Sequence, residues 1–253
     1  MLRYTSTALM AVLTLGISTA CESSSGAPAD TVGDDTADVV EADTEPTETD
    51  TVDPNEPRDL VVGAVGRIYH IIDGDTMYVA IGETAPELYD VRTTGLSAPE
   101  CKKKQVRIAD GTWWWVCSGD DEFYGLASLE RAQTLAPAGS PITISCDDLD
   151  GHPLPTGSWC PQDDFDRYLV YIELDNGDDF ATEMAWNGAG LSYTWFDSSK
   201  RAAICAAEYD AIQHDRGMWG AGTVSSVIAK MNDHTQYWYN TSHDRDCDKA
   251  IGQ

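Results

Sequence analysis

Residues 72–100, IDGDTMYVAIGETAPELYDVRTTGLSAPE, decide the fold of this chain. Two short apolar segments flank a tight turn at residues 73–76, a pattern typical of a β-hairpin. A later extended segment carries Arg92, and a second turn presents Glu100. Carboxylates and an arginine are thus brought close together at the ends of strands, which is one way to build a small site for a metal ion and a phosphate.

The N-terminal part of the chain predicts an exported protein. Residues 1–20 combine a basic start with a short apolar run, which is typical of a signal peptide. The small residues before Cys21 resemble a bacterial lipobox, so we predict lipidation of Cys21 and attachment to the membrane surface of the cell envelope through this lipid anchor. Ordinary signal cleavage is the alternative and would give a secreted protein. The linker over residues 21–58 is rich in Asp and Glu and contains no aromatic residue, which predicts disorder.

The 253 residues carry a formal net charge of −27, and the region after the linker is also acidic. This charge weighs against tight binding of nucleic acid, because phosphate contacts depend on Lys and Arg. The lysines at 102–104 supply a local basic patch beside Glu100. The tryptophans at 113–115 are able to stack on bases or to pack beneath the segment between Cys101 and Cys117.

Seven cysteines occur, and six of them follow Cys21. An even number of cysteines in an exported chain predicts disulfide bonds. We expect them to pair in sequence order, as Cys101 with Cys117, Cys146 with Cys160, and Cys205 with Cys247.

The order of the predicted elements favours an α+β domain built on a small closed barrel. This domain is expected over residues 59–222, with a C-terminal extension over 223–253 that Cys247 holds in place. The predicted strands are 61–72, 77–81, 88–93, 141–145 and 168–174; the predicted helices are 124–135, 180–188 and 198–216; the segments 101–117 and 147–166 are predicted as loops.

Five side chains suggest chemistry at the turns. Asp73, Asp75 and Glu100 are hard oxygen donors of the kind that calcium or magnesium takes, and Arg92 and Arg167 have the planar fork that binds phosphate. Together they resemble the parts of a phosphodiesterase site. An ordinary turn with surface arginines is the alternative interpretation of the same residues.

Several motifs follow one another in a fixed order, and their number and spacing resemble the staphylococcal nuclease (thermonuclease) family over residues 59–220. The motifs are Ile72-Asp73-Gly74-Asp75-Thr76, Arg92 eight residues before Glu100, Ser97-Ala98-Pro99-Glu100, Tyr124-Gly125 at the start of a helix, Asp166-Arg167-Tyr168-Leu169-Val170-Tyr171, and Arg216-Gly217-Met218-Trp219-Gly220.

The resemblance implies a five-stranded barrel of the oligonucleotide-binding (OB) type with about three α-helices. It also implies a monomeric, calcium-dependent endonuclease that hydrolyses phosphodiester bonds in DNA or RNA, with magnesium or another divalent cation as a possible substitute. Glu100 would activate the attacking water, while Arg92 and Arg167 would stabilise the scissile phosphate. The metal ligands that the resemblance implies are Asp75, Ser97, the carbonyl of Ala98, and Glu100, with Asp73 as a supporting acid.

The chain departs from the family pattern at Ser97, where the family has an aspartate. A hydroxyl is a poor substitute for a carboxylate ligand. The alternative function is therefore a non-catalytic module on the same fold, which binds nucleic acid or protein and has a weakened metal site.

Overall fold

The computed structural model describes residues 59–108 and 111–252, with every side chain in these ranges except that of Arg245. The predicted signal peptide, Cys21 and the acidic linker lie outside the described residues. Within those residues, no helix combines the length and the apolar character needed to cross a membrane.

Strands come first in the described chain, one helix is inserted among them, and most helices follow. The strands are β1 (Val65–Ile71), β2 (Thr76–Ile81), β3 (Glu87–Thr93), β4 (Leu96–Ser97), β5 (Cys101–Arg107), β6 (Trp113–Asp120), β7 (Pro141–Ser145), β8 (Tyr168–Leu174) and β9 (Leu191–Ser192). The α-helices are α1 (Gly125–Leu135), α2 (Phe180–Trp186), α3 (Arg201–Gln213), α4 (Val224–Ile228), α5 (Asp233–Trp238) and α6 (Asp244–Ile251).

Five of these strands close a β-barrel in the order β1-β2-β3-β8-β7. β3 and β8 run parallel, and the other neighbours run antiparallel. β4 pairs with β9, and β5 with β6, outside the barrel. The prediction of a mixed α+β domain around a closed five-stranded barrel is confirmed.

Strand β3 shows how the barrel presents functional side chains. Tyr89, Val91 and Thr93 are buried on one face, and Asp90 and Arg92 alternate with them on the other. The buried face joins a core of apolar side chains from all five barrel strands. Each large apolar side chain in such a core contributes roughly 1.5–3 kcal/mol when fully buried. Packing of the buried face of β3 in the core therefore fixes the position of the opposite face, which carries Arg92.

The prediction of a loop between Cys101 and Cys117 was wrong, because this segment forms the hairpin of β5 and β6. Three consecutive lysines and three consecutive tryptophans hide the alternation on which a strand prediction depends. In the structure Trp114 is buried against His70 and Tyr78, with ring centroids 5.1 Å away from each. Its neighbours Trp113 and Trp115 are exposed. One of the three tryptophans therefore packs against other rings, and the other two face solvent.

Two of the three expected disulfides are confirmed. Cys146–Cys160 closes the long segment after β7, and Cys205–Cys247 joins α3 to α6.

The third expected disulfide is wrong: Cys101 and Cys117 are free thiols. In the β5–β6 ladder Cys117 lies opposite Lys103, whereas Cys101 lies opposite Asp120, and the register shifts between them. The two cysteines are therefore not a directly opposed pair, although their thiols interact, and burial together with the Cys117 thiol raises the pKa of Cys101.

The C-terminal extension packs on the same compact unit as the barrel. Trp219, Val227, Ile228 and Trp238 are almost fully buried in a second apolar cluster beside α3. The helices of this extension are only 5, 6 and 8 residues long, which is too short for a helical period to show in the sequence.

Candidate functional site

The turn between β1 and β2 fixes two acids in the interior. Asp73 Oδ1 accepts hydrogen bonds from the backbone N–H of Thr76 at 2.9 Å and of Asp75 at 3.2 Å. A Cβ on Gly74 would lie 2.5 Å from the Ala98 Cβ and 2.1 Å from Ser128 Oγ, so only glycine permits this close packing. Asp73 and Asp75 are each only 2% exposed.

Asp75 is bound by several donors. Its Oδ1 accepts a hydrogen bond from Thr76 Oγ1 at 2.9 Å, and its Oδ2 accepts one from the Ala98 N–H at 2.9 Å. Arg92 reaches both oxygens, at 3.4 Å from Nη1 and 3.3 Å from Nη2. Burial raises the pKa of Asp75, but Arg92 and these hydrogen bonds outweigh it and lower the pKa below its usual value. Asp75 is therefore ionised at neutral pH.

Lys103 lies between two of the predicted acids. Its Nζ is 2.6 Å from Asp73 Oδ2 and 3.1 Å from Glu100 Oε2. Its neighbours Lys102 and Lys104 are exposed and have no ion pair within the described residues. The sequence indicated a basic patch here, but no pattern in it singled out one lysine as the partner of Asp73.

The pKa values of Asp73 and Glu100 are both raised. Burial is the largest cause in each case, the negative charge of Asp75 adds to it, and Lys103 opposes it. A raised pKa makes Glu100 a stronger base than an ordinary surface glutamate, which suits the removal of a proton from water.

The backbone at Glu100 is held by the start of α1. Glu122 Oε2 accepts a hydrogen bond from the Glu100 N–H at 2.7 Å, and a Cβ on Gly125 would lie 2.2 Å from the Glu100 carbonyl oxygen. Glu122 Oε1 also accepts a hydrogen bond from the N–H of Asn232, the N-cap of α5. The C-terminal extension thus helps to position Glu100, and no sequence pattern indicates this link.

Arg167 lies near the same edge of the barrel as Arg92. Its Nη1 is 3.4 Å from Thr76 Oγ1, and Thr76 pairs with Arg92 across β2 and β3. The other side of its guanidinium binds Asp163 Oδ2, through Nε at 2.9 Å and Nη2 at 2.7 Å. Because β3 and β8 are parallel neighbours, their registers bring both arginines to one cleft.

The cleft that contains these groups has a volume of about 1070 Å³. Four aromatic side chains from three separate segments line its walls, and three of them are exposed. These are Trp115, Phe165, Tyr193 and Phe196. The C-terminal extension adds His234 and Thr235. The cleft therefore combines a charged floor, formed by Arg92, Glu100, Lys103 and Arg167, with aromatic side chains on its walls.

Asp90 is a further acid in this cleft that the motifs did not indicate. It lies on the same face of β3 as Arg92, and its Oδ1 is buried with no hydrogen-bond partner among the described residues. Burial raises the pKa of Asp90 to about 6; the nearby Arg167 lowers it, while Asp163 and Asp73 raise it. Asp90 is thus a carboxyl group that exchanges a proton close to neutral pH.

All of the residues predicted for the site lie in or beside the cleft. Asp73, Asp75, Arg92, Glu100 and Arg167 are linked through the contacts above, and Ser97 and Ala98 line the same cleft.

The donor set does not fit a calcium ion in this arrangement. Calcium takes roughly six to eight oxygen ligands. Both oxygens of Asp75 already have protein partners, Ser97 offers no carboxylate, and Lys103 Nζ stands between Asp73 and Glu100.

A second cluster of possible metal ligands lies away from the cleft, where Glu208, His243 and Cys247 approach one another in the interior. Cys247 is bonded to Cys205, so its sulfur is not available as a thiolate ligand. His243 Nε2 lies 2.8 Å from Glu208 Oε2, and this pair links α3 to the C-terminal extension.

No protein-family model matches the chain, and no curated protein matches it.

Proposed function

We propose that this protein is a phosphodiesterase of the thermonuclease type, an endonuclease that cleaves DNA or RNA. One observation carries the proposal: Arg92, Arg167 and Glu100 line one cleft, in which Arg167 contacts Thr76, the cross-strand partner of Arg92. Two guanidinium groups can bind the non-bridging oxygens of one phosphate bidentately, and a carboxylate nearby can accept a proton from the attacking water.

The proposed reaction is a hydrolysis. Glu100 takes a proton from a water molecule, and the water oxygen forms a bond to phosphorus. The bond from phosphorus to the leaving sugar oxygen breaks with its electron pair, and that oxygen takes a proton from solvent. Arg92 and Arg167 stabilise the charge that develops on the phosphoryl oxygens, which is the main contribution of such groups to phosphoryl transfer.

The barrel topology supports the proposal that the fold is of the OB type. Counted along the chain, the barrel strands are adjacent in the order one, two, three, five, four. Oligonucleotides bind OB barrels at the loop between strands one and two and at the loop between strands four and five. Here the first loop holds Asp73 and Asp75, and the second holds Asp163 and Arg167.

The aromatic walls support a nucleic-acid substrate in spite of the acidic charge. Stacking of a base on an aromatic ring contributes roughly 1–3 kcal/mol and does not require a basic protein. Trp115 and Phe196 expose 42% and 63% of their surface beside the charged floor. We therefore expect short, single-stranded substrates, whose bases are free to stack.

The proposed location is outside the cytoplasm. The two disulfides are compatible with export, and the lipid anchor at Cys21 stays a prediction from the sequence.

A nuclease assay on the oxidised full chain tests the function. Single-stranded DNA and RNA are incubated with calcium, with magnesium and with chelator, beside the variants Glu100→Gln and Glu130→Gln. Glu130 is an exposed glutamate of α1, so its change removes the same charge away from the cleft. Cleavage that Glu100→Gln loses by about 100-fold or more, and that Glu130→Gln keeps, supports the enzyme.

A non-catalytic module is favoured by one observation, which is that carboxylates already hold both arginines. If the folded protein binds oligonucleotides but cleaves none of them under any of these conditions, the binding module replaces the nuclease as the proposed function.

A further inference from the structure

The position between Asp73 and Glu100 is occupied by a side chain of the protein itself. Lys103 Nζ lies 2.6 Å from Asp73 Oδ2 and 3.1 Å from Glu100 Oε2. These are two of the acids that the nuclease interpretation assigns to a divalent cation. The inference drawn from this contact rests on the proposed function and concerns its cofactor.

The contact is built into the fold, unlike that of a mobile surface lysine. Asp73 is 2% exposed and is fixed by hydrogen bonds within its turn. Lys103 belongs to the β5–β6 hairpin, in which it pairs with Cys117 of β6. Its side chain is only 31% exposed. A buried carboxylate with no cation beside it would be strongly disfavoured. Asp73 and Lys103 therefore hold each other in place.

We propose that Lys103 is a built-in cation of the site and that cleavage proceeds without a divalent metal ion. An ammonium group has three N–H donors. The contacts of Lys103 Nζ with Asp73 Oδ2 and Glu100 Oε2 are ion pairs, and Asp73 Oδ2 has no hydrogen-bond partner among the described residues. N–H donors of Lys103 are therefore left for a non-bridging oxygen of the substrate phosphate. Lys103 then stabilises the developing charge beside Arg92 and Arg167, in the role that a metal ion has in other phosphodiesterases.

The serine at position 97 is consistent with the replacement of a divalent cation by Lys103. A site with a carboxylate at position 97 would hold one more negative charge and would suit a doubly charged ion. With serine there, the local negative charge is smaller by one, and a singly charged ammonium compensates it. The departure at Ser97 and the placement of Lys103 are thus two parts of one arrangement.

The test uses the oxidised full chain and three lysine variants. Lys103→Met removes the ammonium but keeps a side chain of similar length. Lys102→Met and Lys104→Met remove the same charge from exposed neighbours without an ion pair among the described residues. Each protein is assayed on single-stranded DNA and RNA in metal-free buffer with chelator and in buffer with calcium. Calcium binding is measured separately by calorimetry and by the shift in melting temperature.

We expect the wild type to cleave in chelator about as fast as in calcium, and to show no calcium binding at the site. Lys103→Met should lose about 100-fold in chelator, a typical cost of removing one transition-state donor. Calcium should restore part of its activity and should bind to it, because the gap between Asp73 and Glu100 is then open. The two control variants should keep the wild-type ratio of activity in chelator to activity in calcium, and they should not gain calcium binding.

Activity of the wild type that chelator abolishes and calcium restores would overturn the inference, and so would calcium binding to the wild type that Lys103→Met does not strengthen. The wild-type measurements stand even if Lys103→Met fails to fold. The absence of cleavage in every condition would contradict the proposed function instead. The calorimetric comparison would then still decide whether Lys103 or calcium occupies the position.

Discussion

Asp163 holds Arg167 on the side of its guanidinium that faces away from Thr76, through Nε and Nη2 on a single carboxylate oxygen. The side chains of this pair are 17% and 18% exposed. A phosphate that enters the cleft must therefore compete with Asp163, or share Arg167 with it.

Removal of this competitor should strengthen anion binding. We expect Asp163→Asn to lower the dissociation constant of a nucleoside bisphosphate roughly tenfold, since a hydrogen bond to a charged group is worth about 1.5–3 kcal/mol and only part of it is lost on sharing. Calorimetric titration measures the change. Asp164→Asn is the matched control, because Asp164 is exposed in the same loop and does not contact Arg167. Equal effects of the two variants would show that general charge, and not this contact, limits binding.

The pair of Asp75 and Arg92 should contribute to stability as well as to phosphate binding. Arg92→Gln leaves Asp75 buried without its cationic partner, and we expect it to lower the free energy of unfolding by about 3 kcal/mol. Urea denaturation at neutral pH measures this loss, with Arg67→Gln on strand β1 as a control, because Arg67 is exposed. A loss below 1 kcal/mol would mean that the hydrogen bonds of Asp75 suffice without Arg92.

The same pair gives a dependence on pH. The pKa of Asp75 is lower in the folded protein than the model-compound value of 3.8. Its contribution is thus fully present above that value and is lost as the pH falls through the lower, folded pKa. The stability difference between wild type and Arg92→Gln should therefore shrink in acid, and a constant difference would contradict this assignment.

Asp90 should have the opposite dependence. Its pKa is raised from 3.8 to about 6, so its ionisation disfavours the folded state as the pH rises from about 4 through 6. We expect Asp90→Asn to stabilise the protein above pH 6 by on the order of 1 kcal/mol, a value reduced for partial exposure of the group to solvent. Melting curves across this pH range test the change, and Asp120→Asn on the exposed hairpin is the control. A stabilisation that does not fade below pH 4 would have another origin.

The two disulfides should differ in what they contribute. The Cys205–Cys247 bond spans 42 residues and the Cys146–Cys160 bond spans 14. Loop-closure entropy predicts a contribution of about 3 kcal/mol for the shorter loop and about 4 kcal/mol for the longer one. Paired Cys→Ala variants, compared by chemical denaturation, should follow this order. The reverse order would show that packing around the cysteines dominates over chain entropy.

The barrel strands were predictable because their apolar side chains follow short, well-punctuated runs, and the turn at Asp73 and Asp75 was predictable from its acids and glycine. The contact of Lys103 with Asp73 was not predictable, because it joins residues 30 positions apart. It also depends on the β5–β6 hairpin, which the sequence pattern predicts as a loop. Asp90 was missed for a related reason. Its raised pKa comes from burial and from charged neighbours that are distant in the sequence, which no local pattern records.

The C-terminal helices were missed because each is short and most of their surface is polar. Their role was missed too, since Asn232 reaches Glu122 through one backbone hydrogen bond across 110 positions of sequence. Such a link depends on the tertiary fold and on no side-chain motif.

The hydrogen bonds of Glu122 to the backbone of Glu100 and of Asn232 also bear on modularity. A barrel excised at residue 222 would keep every side chain of the proposed catalytic group, yet it would lose one of the two amides that hold Glu122 and the wall formed by His234 and Thr235. The smallest fragment that keeps the whole candidate site is therefore larger than the barrel. A graft or fusion that is meant to carry this site therefore has to include residues 223–253.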